Sequence, residues 1–239
     1  MSDLFIKDGS EPFVLFSHTH LFTLVVILVI CIGMYFFREQ LRQRLTNKIF
    51  RYSLAIILLF SEISLIWWQS HIGTWTVRYS LPLHLSSISL LLSSVLLLTR
   101  NYKLFEFTYF AGIGSAIQAM ITPDIHAYTF PHFRYVHFFI SHGGIVIANM
   151  FMVFVEGYRP TFKSIFKAVL YLNGYAALIF IINKAIDGNY MYIMRKPINP
   201  SIFDYLGPWP TYILLLEVIA LVTFFLLYSP FFFAKYFRK

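Results

Sequence analysis

The sequence is poor in what a water-soluble protein uses to cover its surface. Only 13% of its 239 residues are charged, against 58% hydrophobic, and mean hydropathy is +0.67. A soluble domain carries about 25% charged residues, so the bilayer is the expected solvent. Cysteine is nearly absent. Cys31 has no second thiol to pair with, which excludes an intrachain disulfide and a cysteine-rich metal centre. His126, His132 and His142 lack HExxH-like ligand spacing, so no metal is expected, and no other cofactor. Repeats and low-complexity linkers are missing too. The first residues, Met1 to Glu11, hold acidic groups and no basic region ahead of an apolar run. They do not read as a signal peptide, and insertion falls to the first helix.

What the chain has is apolar runs. They lie at about 13–37, 49–68, 79–99, 104–121, 135–155, 164–183 and 211–228. About twenty apolar residues make one crossing. The expected fold is therefore all-α, a polytopic bundle of seven transmembrane helices in one domain over 1–239. The third run is unlike the others. It opens Tyr79-Ser-Leu-Pro-Leu-His, with Ser86, Ser87 and Ser89 following. An ionisable group in hydrocarbon costs at least a few kcal/mol, so His84 needs a reason to be there. Pro82 reads either as a bend that aims His84 or as a helix-start proline.

The net charge is +8. Seven helices give two sets of loops, and 13 of the 19 basic residues fall in one set, at 38–51, 100–103, 159–167 and 235–239. Lys7, Arg78, Arg134, Lys184, Arg195 and Lys196 fall in the other. The positive-inside rule then puts the N-terminus outside and the C-terminus in the cytoplasm of a cell-membrane protein. Trp67, Trp68, Trp75 and Trp209 are expected at the outer interface. The basic excess serves orientation; no soluble face exists to carry a nucleic acid.

With that topology, every helix offers a polar group in the same half of the membrane: His20, Glu62, His84 with Ser86, Gln118, His142, Asn183 and Glu217. Each alone in lipid is costly, so they are expected to line an outward-facing pocket roughly 10 Å below the interface. With inverted topology the pocket faces the cytoplasm. Each residue also has a plainer reading. A buried histidine often bonds a nearby carbonyl or carboxylate, serines back-bond to helix carbonyls, and Gln118 bridges helices. Two imidazoles with a carboxylate, Glu62 or Glu217, exceed what packing requires.

Several segments carry a resemblance. They are Phe16-Ser-His-Thr-His-Leu-Phe, Leu81-Pro-Leu-His-Leu, Gln118-Ala-Met-Ile-Thr-Pro-Asp, His137-Phe-Phe-Ile-Ser-His-Gly, Asn189-Tyr-Met-Tyr and Tyr205-Leu-Gly-Pro-Trp-Pro-Thr-Tyr. Together they resemble the bacterial YwaF-like integral membrane proteins, from about Pro12 to Pro230. That family is distantly similar to eukaryotic transmembrane acyltransferases of glycerophospholipids, which use a Pro-Cys-His and a second histidine in a later helix. The resemblance implies that Pro82 and His84 match the first motif and His142 the second histidine. Leu83 takes the nucleophile's position, and Ser86 stands where bacterial relatives keep cysteine, so a cysteine mechanism is excluded.

Three readings remain open, one of them an accessory or assembly protein whose polar core is merely structural. A lipid acyltransferase or hydrolase would use Ser86 as nucleophile and His84 or His142 as base, oriented by Glu62 or Glu217, with Gln118 donating to an oxyanion. Residues i and i+2 point about 200° apart on a helix, so Ser86 pairs better with His142 than with His84. A transporter or small-molecule binding protein would use the same residues as a proton or ligand site; the lack of an inverted repeat counts against it. Membrane lipids are the expected partners, and the sequence leaves the oligomeric state open.

Overall fold

The computed structural model describes residues 3–6, 12–125, 127–197 and 202–236. Lys7, His126, Arg238 and Lys239 lie outside the described residues. The chain forms α1 (His18–Phe36), α2 (Arg38–Arg42), α3 (Arg44–His71), α4 (Leu85–Thr99), α5 (Tyr102–Phe107), α6 (Ile113–Ile121), α7 (Phe133–Phe154), α8 (Phe162–Ile186) and α9 (Thr211–Tyr236). A π-helical turn, Thr108–Gly112, joins α5 to α6 as one long rod. Among the described residues there are no strands.

Six helices are long and apolar enough to cross a membrane. The seventh expected crossing is cut short. Its apolar run winds only from Leu85 to Thr99, fifteen residues, which spans about 22 Å against a hydrocarbon core of about 30 Å. Residues 79–84 stay irregular because Pro82 has no N–H to donate and keeps Leu81 out of helical conformation. Side chains satisfy the freed backbone instead. The Tyr190 hydroxyl accepts from Leu81 N–H at 2.8 Å, and the Tyr175 hydroxyl donates to the Leu83 carbonyl at 3.0 Å. Pro82 thus neither bends a helix nor starts one: helix α4 begins three residues later, with His84 as its N-cap.

Burial sorts the helices. The rod of α5 and α6 and helix α7 are 67% and 78% buried over their most apolar windows, whereas α1 and α9 are 11% buried. A helix apolar all round with no protein cover must face lipid. Helix α4 sits centrally, touching α3, α7 and the π turn. Gly143 and Gly144 let α7 approach closely: a methyl on Gly143 would meet Ile27 Cδ1 at 2.8 Å, and one on Gly144 would overlap Leu58. In the fully buried centre, Thr108 donates to Asn149 Oδ1 at 2.7 Å, and Asn149 Nδ2 donates to Ser93 Oγ at 3.3 Å and the Ile145 carbonyl at 2.9 Å. This knot ties α4, the π turn and α7.

The basic segments collect at one end. Arg42 donates to the Val155 carbonyl at 2.9 Å, and Tyr102 to the Arg159 carbonyl at 2.7 Å. Arg44, Lys48 and Arg51 belong to helix α3 rather than to a loop. Arg51 is buried there and donates to the Leu97 and Leu98 carbonyls, satisfying the last turn of α4. Helix α9 runs through Pro230 to Tyr236, beyond the expected end near 228, because its apolar run continues and membrane helices tolerate proline. At the opposite end Trp67, Trp75 and Trp209 are exposed, but Trp68 is buried. Its indole N–H donates to the Phe5 carbonyl at 3.1 Å and its ring packs on Tyr128, His132 and Phe133.

Candidate functional site

Between α3, α4, α6, α7, α8 and α9, at the end away from the basic segments, lies a cavity of about 870 Å³. That is at the upper end of the roughly 300–1,000 Å³ usual for ligand sites. One limb is polar, with Glu62, His84, Ser86, Asp124, Arg134 and His142 among its lining residues. The other is mainly apolar, with Leu172, Ala176, Leu214, Ala220 and Phe224, and includes Asn173 and Glu217. Asn173 and Leu214 are also surface-exposed, so this limb reaches the lipid-facing side between α8 and α9.

The backbone fixes the tautomer of each key histidine. His142 Nδ1 lies 2.8 Å from the Phe138 carbonyl. A carbonyl only accepts, so Nδ1 carries the proton and, in the neutral ring, Nε2 holds the lone pair. At His84 the pattern is reversed. Met191 N–H donates to His84 Nδ1 at 3.3 Å, which leaves the proton on Nε2. One cavity thus holds a ring that accepts and a ring that donates. The orientation of His142 comes from its own helix; among the described residues, neither Glu62 nor Glu217 bonds it.

The segment that holds His84 is strained. Met191 and Tyr192 both have positive φ, 58° and 53°, where a non-glycine residue costs of order 1–3 kcal/mol. The strain is held by side-chain clamps. Asn183 Oδ1 accepts from Tyr190 N–H at 2.9 Å while its Nδ2 donates to the Tyr190 carbonyl at 3.0 Å. The Tyr190 hydroxyl donates to the Val77 carbonyl at 2.6 Å, and Tyr212 donates to the Tyr192 carbonyl at 2.5 Å. Tyr190 and Tyr192 then pack on the His84 ring at 5.2 and 5.5 Å. Burial, then the Asp124 carboxylate, push the Tyr192 phenol above its usual range. It stays protonated and donates to Asp124 Oδ2 at 3.2 Å.

The cavity brings together Glu62, His84, Ser86, Gln118, His142 and Glu217. Gln118 Nε2 donates to Thr223 at 3.2 Å, and Asn173 donates to Glu217 at 3.1 Å. His20 and Asn183 stand apart from the lining. His20 is fully buried and saturated: Phe16 N–H donates to its Nδ1 at 3.1 Å, and its Nε2–H donates to the Met120 carbonyl at 2.8 Å. It is a brace between α1 and α6. Asn183, 1% exposed, hydrogen-bonds the backbone of Tyr190, whose ring packs on His84. His132 accepts from Arg134 N–H at 3.0 Å through Nδ1 and donates to the Ile6 carbonyl at 3.1 Å through Nε2. Burial lowers its pKa below the usual imidazole value. Both of its nitrogens are occupied.

Sequence reasoning missed Arg134, His137 and Ser141, which line the same cavity. Arg134 Nη1 donates to His137 Nδ1 at 3.1 Å, so His137 Nε2–H donates to Ser141 Oγ at 3.2 Å, and Ser141 meets Ser61 Oγ at 2.6 Å. The signal was present: i, i+3 and i+7 share one face of a helix. In the sequence Arg134 reads only as a loop charge.

Residues 15–228 match the model described as the TMEM164 family. The chain belongs to the TMEM164 family. The match runs from α1 into α9 and includes the polar limb of the cavity. No curated protein and no solved structure matches the chain. Membership in this family of membrane proteins agrees with the six apolar helices.

Proposed function

We propose that this protein binds a membrane amphiphile in the cavity and carries out acyl transfer or hydrolysis on its ester. The observation that carries this reading is the pairing of a ring lone pair on His142 with a ring N–H on His84, in one cavity whose second limb is apolar and open to the lipid side. The resemblance to YwaF-like proteins, and through them to glycerophospholipid acyltransferases, points the same way. The proposed step begins with the Ser86 hydroxyl attacking the ester carbonyl while His142 Nε2 takes its proton. His84 Nε2–H, with Gln118, donates to the oxyanion. Collapse breaks the ester C–O bond, and the departing alcohol takes the proton back from His142. A second alcohol, or water, then attacks acyl-Ser86 by the same route and restores the serine.

The same reading completes the topology. Helix α4 and the irregular segment before it form a seventh crossing, since non-helical backbone is tolerated at depth where it lines a cavity. The basic end faces the cytoplasm, the N-terminus and the cavity face outward, and the membrane is the cell membrane. Transport has less support, because below the cavity the centre is filled by the bonded Ser93, Thr108 and Asn149 and by Leu96, Leu97, Phe110 and Phe151, all buried.

The test uses the full chain in nanodiscs holding a phospholipid with deuterated acyl chains and an unlabelled lysophospholipid, with product followed by mass spectrometry. Labelled chains should move to the lysolipid or to water. His142→Ala should slow this by about 10²–10⁴-fold, and His84→Gln should slow it too. No product from the wild type, or wild-type rates in His142→Ala, would overturn the proposal.

A further inference from the structure

We infer that Arg134 is the anion-recognition residue of this cavity, binding the phosphate or carboxylate group of the amphiphile. The inference rests on the amphiphile reading above and assigns the part of the ligand that reading leaves open. Arg134 is half-buried and lines the same cavity as His84 and His142. Other arginines in the bundle have carboxylate neighbours: Arg51 and Arg100 at Glu156, Arg78 at Asp187, Arg42 at Glu39. Among the described residues, Arg134 has no carboxylate within 4.0 Å. Asp124 and Glu62 act on the guanidinium only through space, and an arginine inside a largely apolar protein with no anion in contact is costly. An anion supplied by the ligand removes that cost.

The guanidinium is also preorganised. One of its five N–H groups is committed to His137 Nδ1 at 3.1 Å, and the group lies 5.9 Å from the Phe138 ring centroid. His137 is itself 6% exposed and fixed by Ser141 and Ser61. The remaining fork can meet two oxygens of one anion, the geometry in which arginine exceeds lysine. The cavity's nearby carboxylates do not occupy that role. Asp124 holds the Tyr192 hydroxyl, and Glu62 stands on α3 against Ser87. The polar limb therefore takes the headgroup at Arg134 and leaves the apolar limb between α8 and α9 for the chain.

The experiment measures binding of three fluorescent single-chain probes to the purified full chain in dodecyl maltoside. One probe is a lysophosphatidic acid, one a fatty acid, one an uncharged monoacylglycerol. The wild type should bind at least one anionic probe about 10- to 100-fold more tightly than the uncharged one, the range of a charge-assisted pair; which anionic probe gains more separates a phosphate ligand from a carboxylate ligand. Arg134→Gln should erase the difference while leaving the uncharged probe's affinity unchanged. Arg134→Lys keeps the charge without the fork and should retain only part of it, which tests the idea if the glutamine variant fails to fold. No anion preference in the wild type, or an undiminished one in both variants, would sink the inference. His142→Ala should keep the preference while losing turnover, so failure of the chemistry and failure of anion recognition are read separately.

Discussion

His20 and His142 show how little a residue's identity says about its task. Both are buried histidines on apolar helices, and both hydrogen-bond a backbone carbonyl. The difference is the second nitrogen. In His20 it accepts from Phe16 N–H; in His142 Nε2 faces a cavity. The two should therefore separate experimentally. His20→Ala leaves the Phe16 N–H and the Met120 carbonyl without their partner in a site that is fully buried. It should cost about 2–4 kcal/mol, seen as a lower thermal midpoint of the detergent-solubilised protein, with turnover per folded molecule retained. An unchanged midpoint would mean that His20 is not a brace. At this scale the sequence named six of the polar residues that line the cavity, Glu62, His84, Ser86, Gln118, His142 and Glu217, because a polar side chain in an apolar run needs a reason. It did not tell a saturated imidazole from one with a free nitrogen, because that depends on partners about 100 residues away.

The elements were legible as apolar runs, and their ends were not. Helix α4 starts late because tyrosines from α8 and from the loop after it take the hydrogen bonds of residues 81 and 83, a contest that local sequence does not record. Helix α3 starts early for a related reason. Arg51 is stabilised inside the bundle by the carbonyl end of α4 and by Asn47 and Glu156. The close approach of α7 is a matter of glycine. A methyl on Gly144 runs into Leu58, which is 0% exposed and must shift to make room. Gly144→Ala should destabilise by about 1–3 kcal/mol. Gly174 on α8 has nothing within 4 Å of an added methyl. There the same substitution should be neutral or stabilise by about 0.5–1 kcal/mol, from helix propensity alone. Thermal unfolding of the pair checks this, and equal effects at both sites would refute the packing argument.

For the whole molecule, sidedness has a direct test. In a Cys31→Ser background, Thr76→Cys lies in the loop before α4 and Lys163→Cys near the start of α8. A membrane-impermeant maleimide applied to intact cells should label the first, and the second only after permeabilisation; the reverse pattern would turn the cavity toward the cytoplasm. The sequence by itself determined the solvent, the helical class and the gathering of polar groups at one level, because hydropathy and the cost of polarity in lipid act on residues one at a time. The tertiary structure decided which of those groups face a cavity. It gave Arg134, His137 and Ser141 a place beside His142, and it withdrew His20 and Asn183. It also set His84 and His142 in opposite tautomers through the Met191 N–H and the Phe138 carbonyl. A ring nitrogen's role is fixed by what stands within about 3 Å of it, and only the packed bundle supplies that neighbour.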